Sequence, residues 1–409
     1  MFNTIKVAIK NTFRNKRRMI LTELLIIFGV VVILFATSFL KSMSDNWRNA
    51  IVNADLGEIQ VMYQGYKEKI SSLPLDKSIP QVDQVVFKLK SEEGIAAATK
   101  RISVGGLISS GEQTAPFFGR GVDVDNVEAV LPKIYGTLME GQPLSKGQKS
   151  YALLGSGLAK LLETKVGDQL LLTTYDKYKA MNAVEVTVQG FLKIPEEITN
   201  DHMLLMDFET AKTLVSFEGE ATEIVLKTTN FSKIEEIKTR LVSKYRDKEK
   251  LDFYSWSALA GSFNQAAGMF SLVSLVIGMI IYVVVLVALA NAILTSVFDR
   301  TSEIGMLMAL GSSPRRIMFS FVSESIFLGM IGVTIGVIIH KLIILSLSRS
   351  GITVPPPPGA IESIVLHPLF DWMQVVSVFV VMGIVTVVAA LYPARFASKL
   401  NPADTMRAS

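Results

Sequence analysis

The sequence predicts an α-helical membrane protein: four transmembrane helices, with an α+β extracytoplasmic domain inserted between the first and the second. Three observations predict it. An apolar run from Met19 to Leu40 follows six basic residues directly, and more than 200 largely polar residues then pass before the next such run. That next run, Phe253 to Phe298, carries no charge, and two further apolar stretches lie near 317–339 and 372–391. About 20 apolar residues cross the roughly 30 Å hydrocarbon layer as a helix, because only a helix satisfies its own backbone polar groups there. An even number of spans puts both termini on one side.

Residues 1–18 come first, with Lys6, Lys10, Arg14, Lys16, Arg17 and Arg18 and no acid. Phe2, Ile5, Ile9 and Phe13 recur among them at helical spacing. This pattern suits an amphipathic helix on the inner membrane surface, and equally a plain basic topology signal. Helix 1 is expected over 19–41. It is read as an uncleaved span and not a signal peptide, because the run is long and no A-x-A-like site closes it.

Positive charge in the short segments sets the orientation. The loop at 299–316 holds Arg300, Arg315 and Arg316, the tail at 393–409 holds Arg395, Lys399 and Arg407, and the loop at 346–371 has only Arg349. Both termini and the 299–316 loop are therefore expected in the cytoplasm, and 42–266 outside. That stretch has 26 Lys/Arg against 30 Asp/Glu, a formal −4, whereas the whole chain is +4. The excess positive charge sits at the cytoplasmic edges, which favours contact with anionic lipid and excludes nucleic acid as the expected partner. Cysteine is absent, so neither disulfides nor thiolate metal sites are available.

Inside the inserted domain Ile59, Val61 and Tyr63 alternate as a strand, Val82, Val85, Val86 and Leu89 follow a helical period, and 102–108 returns to strand. Downstream, Glu223–Lys227 predicts a strand, Ser232-x-x-Glu235 a capping box opening a helix with Ile234, Ile237, Leu241 and Tyr245, and Leu251–Tyr254 another strand. The expected subdomains are 56–115 with 220–257, and a second lobe at 117–218. In that lobe Leu158, Leu161 and Leu162 mark a short helix before Gly167-Asp168, and 169–173 and 184–192 mark strands.

The remaining helices are expected at 267–298, 317–345 and 372–392. Gly332-x-x-x-Gly336 in the third allows close helix packing. Glu23 and Glu324 lie inside spans near the cytoplasmic face, where a carboxylate can pair with Arg17, Arg18, Arg315 or Arg316. Pro355–Pro358 lacks backbone donors and must be an extended segment in the 346–371 loop.

Catalytic signatures are missing. No Gly-Lys dipeptide occurs, so a Walker A loop is excluded, and there is no G-x-S-x-G, HExxH or CxxC. His202, His340 and His367 are scattered without metal-ligand spacing. The energy for any work on a substrate must come from another chain. The segment RTSEIGMLMALGSSPRRI at 300–317 is the most specific one: a charged start, a short helix with Ile304, Leu307, Met308 and Leu310 on an apolar face, a stop at Gly311, and Pro314-Arg315-Arg316 opening the next helix. Such a helix, lying along the membrane, can press into a soluble partner.

This segment resembles the coupling-helix region of MacB/FtsX-type ABC permeases, whose pattern is close to R-T-x-E-I-G-x-L-x-A-L-G followed by basic residues. The ending YPARFASKLNPADTMR at 392–407 resembles their closing pattern on Pro393, Ala394, Ala397, Pro402 and Arg407. GEIQVMYQGY at 57–66, LLGSGLAKLLETKVGDQLLL at 153–172, VEVTVQGFLKI at 184–194 and GITVPPPPGA at 351–360 look more like the LolC/LolE-like lipoprotein-release branch. The resemblance implies porter and sabre subdomains for the two lobes. It also implies an ABC ATPase dimer that holds the ATP and Mg, with no cofactor bound by this chain. A second permease subunit, identical or homologous, is implied too, and a periplasmic lipoprotein carrier. Coupling would run through Arg300, Glu303, Ile304, Gly305, Leu307, Met308, Leu310, Arg315 and Arg316. The implied work is lipoprotein release from the bacterial inner membrane; efflux of drugs or peptides and control of a periplasmic hydrolase are its rivals. Spans 1 and 2 flank the inserted domain, so Phe35, Phe39, Phe263, Met269 and Phe270 at their outer ends are candidates for an acyl-chain cavity.

Overall fold

The computed structural model describes residues 16–136, 138–194, 197–355 and 364–399. Residues 1–15, Pro356–Pro358, Pro402 and Arg407 lie outside the described residues, as do the side chains of Lys16, Arg17 and Arg18. The chain divides into two units. One, the membrane unit, comprises residues through Asp45, Ala266–Thr353 and from Val365 onward; the other comprises Asn46–Gln265 with Val354–Ile364.

Helix α1 (Lys16–Ile51) passes into a π-helical turn at Val52–Leu56 and then Gly57, with φ +66°. A Cβ on Gly57 would overlap Val225 Cγ1, so only glycine lets the chain turn here into β1 (Ile59–Tyr63). Then follow α2 (Val82–Lys90), β2 (Ile95–Ser109), β3 (Thr114–Val122), β4 (Leu138–Gly141), β5 (Tyr151–Gly155), β6 (Gln169–Tyr175), β7 (Met181–Leu192), β8 (Met203–Asp207), α3 (Phe208–Leu214), β9 (Glu223–Thr228), α4 (Ile234–Glu249) and β10 (Leu251–Ser255). The strands form one mixed sheet in the order β10-β1-β9-β2-β3-β8-β5-β7-β4, with β6 paired to β2 and β7.

That continuity changes the expected division into lobes. Strand β3 pairs antiparallel with β2 along Arg101–Ser109 and parallel with β8 along Phe118–Val122. The ladder therefore runs without a break from 56–115 and 220–257 into 117–218. One core serves both: Ile59, Val61 and Leu226 share it with Ala152, Leu154, Leu170 and Val186, under Val82, Val85 and Leu89 of α2 and Ile234, Ile237 and Leu241 of α4. Strand β2 outruns its sequence signal because Ala96–Ala98 and Arg101 interrupt the apolar alternation that marks 102–108.

The capping box is also replaced. Asn230 Oδ1 accepts from Ser232 N at 3.0 Å and caps a 3-10 turn at Phe231–Lys233, and α4 starts behind it at Ile234. Glu235 pairs with Lys238. Asn230→Ala should cost about 1 kcal/mol in chemical denaturation and Ser232→Ala far less, since the serine contributes only its backbone N–H.

The charge-free run that begins at Phe253 does not start as helix. It completes β10, makes a single turn of α-helix at Trp256–Leu259, and enters α5 (Gly261–Asp299). Next come α6 (Thr301–Ala309), α7 (Pro314–Ser350) and α8 (Trp372–Ala397). Helices α1, α5, α7 and α8 are long and apolar enough to cross a membrane. Helix α1 continues past the expected boundary at 41, and α5 begins before 267.

The membrane unit packs around Ile26, Val30, Ile33 and Leu34 of α1, Val285 and Leu289 of α5, Val333 of α7 and Val378, Met382 and Val385 of α8. Its glycines mark close approaches. A Cβ on Gly332 would stand 2.6 Å from Ile26 Cγ2 and 2.8 Å from Glu23 Oε2, and one on Gly336 would stand 2.8 Å from Val30 Cβ. Glu23 is buried in this contact. Glu324 pairs with Arg300, Nη1 to Oε2 at 3.3 Å. Arg300 stands between α5 and α6, beside α7, whereas Arg315 and Arg316 point outward on the first turn of α7.

Candidate coupling surface and membrane cavity

Helix α6 is short, and its two faces differ. Ile304 and Gly305 are buried. Ile304 packs with Ile293 and Val297 of α5, Ile317 and Phe321 of α7, and Ala390, Ala394 and Ala397 of α8, with Met308 against the same cluster. The opposite side presents Met306, Leu307 and Leu310, exposed at 58%, 50% and 78%. Glu303, Arg315 and Arg316 are exposed nearby. The single apolar face expected from Ile304, Leu307, Met308 and Leu310 is thus two faces. Ile304 and Met308, at i and i+4, anchor the helix; Leu307 and Leu310, at i and i+3, look away. Gly311, φ +85°, ends α6, with its N–H on Met308 O, and Ser312 N on Leu307 O completes the stop. The Arg300–Glu324 pair holds the start of α6 against α7. An anchored helix with an apolar outer face and a basic flank is suited to receiving another protein's surface.

The membrane unit also holds an open-sided cavity of about 430 Å³ lined by residues of α1, α5 and α8, among them Ile33, Thr37, Tyr282 and Gln374 and the exposed Leu275 and Met279. Its wall is apolar except near Thr37, Ser274, Gln374 and Ser377. Behind that polar end Ser38 Oγ donates to Gln374 Oε1 at 3.0 Å and lies 3.4 Å from His340 Nε2.

None of Phe35, Phe39, Phe263, Met269 and Phe270 lines this cavity. Phe35 and Phe39 stack on one another along α1 at 6.3 Å, and Met269 is exposed. Phe263 is 6% exposed and belongs to the core of the inserted unit, edge-on to Trp47 at 5.8 Å and Trp256 at 5.4 Å. An aromatic side chain closed in by two indoles is a packing element, which removes it from the candidate group. Thr37 and Gln374 were legible as polar residues in or beside apolar runs; that they face one cavity was not.

Four membrane-crossing helices, a mixed sheet domain inserted after the first, and an outward-facing helix between the second and third describe a transporter permease. Residues 19–244 match the MacB-like periplasmic core domain and residues 263–402 the C-terminal domain of FtsX-like permeases. The chain belongs to this family of ABC transporter permeases, MacB-like in its inserted domain and FtsX-like in its C-terminal membrane part. Its relatives include an ABC transporter permease of Methanocaldococcus jannaschii, 26% identical over 66% of this chain and 65% of that one. They also include the lipoprotein-releasing system transmembrane protein LolE of Haemophilus influenzae, 22% identical over 78% of this chain and 79% of that one. The macrolide export ATP-binding/permease protein MacB of Rhodopirellula baltica is 31% identical over 35% of this chain and 19% of its own length.

Proposed function

We propose that this chain is a non-catalytic subunit through which a separate ABC ATPase, holding ATP and Mg, drives release of lipid-anchored proteins from the bacterial inner membrane. The observation that supports it is the divided α6. Its anchored face ties it to α5, α7 and α8, so a push on Met306, Leu307 and Leu310 is delivered to three membrane helices at once. In this reading the termini and α6 are cytoplasmic and the inserted domain is periplasmic. A second permease subunit completes the transporter, and a periplasmic carrier accepts the product.

The cavity supports the substrate class: an apolar wall for acyl chains and a polar end at Thr37 and Gln374 for an ester or amide. Similarity to LolE supports the same class. Similarity to MacB favours a second reading, export of a drug-sized amphiphile, which a cavity of this volume also admits.

Photo-crosslinkers at Leu310 and Met279 separate the outcomes in cells. Capture of an ABC ATPase at Leu310 together with an acylated protein at Met279 is the expected result. A small amphiphile at Met279 would favour the second reading. Capture of no ATPase at Leu310 would sink both.

A further inference from the structure

We propose that Asp55 is the positioning residue of a joint that makes the far end of α1 and the central strands of the inserted domain move as one body. The helix runs without a break into the π-helical turn that carries Asp55. Asp55 Oδ2 accepts from Arg120 Nη2 at 3.0 Å and Oδ1 from Arg101 Nη1 at 3.3 Å, while its backbone carbonyl accepts from Arg101 Nη1 at 2.6 Å. The same guanidiniums are fixed from the sheet. Arg101 of β2 is 2% exposed and donates Nε to Glu223 Oε2 of β9 at 2.8 Å, with a second bond from Nη2. Arg120 of β3 donates Nη1 to Ser103 Oγ at 2.7 Å and lies over the Phe118 ring at 4.7 Å. Ser103 in turn donates to Glu223 Oε1 at 2.8 Å.

Three adjacent strands thus supply two cations and one anion, and the helical turn supplies the second anion. Apolar side chains would hold such a sheet together at least as well, because a buried ion pair recovers little more than its own desolvation. What the charged set adds is direction: planar guanidiniums with several fixed partners hold Asp55 in one orientation. The turn is secured elsewhere too, by Lys133 N on Asn53 O at 3.0 Å and Gln60 Nε2 on Leu56 O at 2.9 Å. Neither α6 nor the cavity uses any of these groups. A subunit that passes movement from α6 to its inserted domain needs a stiff connection at this point, so the role of the joint rests on the function proposed above.

The chain has no cysteine, so introduced thiols carry spin labels without background. In the full-length permease in nanodiscs, labels at Ala50 and Lys248, both exposed, should give one narrow distance distribution. Asp55→Ser should broaden it to several distances, leave a Glu163–Lys248 pair unchanged, and be rescued by Asp55→Glu. In the complex with the ATPase, Asp55→Ser should lower release about tenfold, within the usual size of coupling between linked sites, while ATP hydrolysis persists. An unchanged Ala50–Lys248 distribution would overturn the joint. So would broadening of both pairs, or loss of hydrolysis in step with release. The spin-label arm needs no ATPase, so failure of the unmodified permease to bind one would count against the proposed function alone.

Discussion

Replacing Leu307 with aspartate is expected to detach the ATPase while leaving the permease in the membrane. Leu307 is half exposed on the outer face of α6, and the buried cluster beneath the helix takes Ile304, with Met308 against it, and not Leu307, so the substitution leaves that cluster intact. In the complex, however, a carboxylate would be buried against apolar partner atoms without a counter-charge. An apolar anchor at the centre of an interface contributes at least about 2 kcal/mol. That corresponds to roughly a thirtyfold loss of affinity. Titration of the purified ATPase against the reconstituted permease checks this, and unchanged affinity would refute docking on this face. Ile304→Asp differs in kind: it places a charge inside the cluster of α5, α7 and α8 and should lower the yield of folded permease before any binding is measured.

The second large effect is expected in the inserted domain. Arg101→Ala leaves Glu223, 1% exposed, without its principal partner, and removing one member of a buried pair costs about 3–5 kcal/mol. Replacing Arg101 and Glu223 together by methionine should come out close to neutral, since both desolvation costs vanish with the pair. Hydrogen exchange of the β9 amides in the full-length protein distinguishes the two variants. Acid should reproduce the first of them. Burial by itself would raise the Glu223 carboxyl, but the Arg101 and Arg120 charges and the hydrogen bonds from Arg101 and Ser103 outweigh it, so the group lies below the ordinary glutamate range. Asp55 is lowered in the same way: burial works upward, and Arg120 and Arg101 prevail. A carboxylate depressed in the folded state stabilises the fold above its unfolded pKa, and that contribution disappears as pH falls through the lower folded value. Protection of β9 should therefore hold through the mildly acidic range and fall only below it. The double methionine variant should lose much of that acid step.

The four spans, the inserted domain and the 300–317 helix were legible in the chain because each rests on a local property: a run of apolar residues long enough for a bilayer, an alternating strand, a Gly311 stop before Pro314. What a helix or strand faces is a different kind of fact. Leu307 and Ile304 are equally apolar, and only the packing of α5, α7 and α8 makes one an anchor and the other an outer surface. Glu324 had nearer basic residues in sequence, yet Arg300 reaches it because α7 folds back beside the start of α6.

Phe263 was a candidate for the acyl-chain cavity by its position at the end of a span and is enclosed by Trp47, which is distant in sequence, and by Trp256. By itself the sequence determined the number of membrane helices and the place of the inserted domain, since hydrophobicity and period act over a few turns of chain, while the motifs at 300–317 and 392–407 carried the resemblance to the family. Only the tertiary structure decided that the expected lobes share one sheet, that α6 has two faces, and that Asp55, Arg101, Arg120 and Glu223 meet. Those outcomes depend on strand pairing and side-chain enclosure between residues as far apart in the chain as Ile59 and Ser255, which no local pattern encodes.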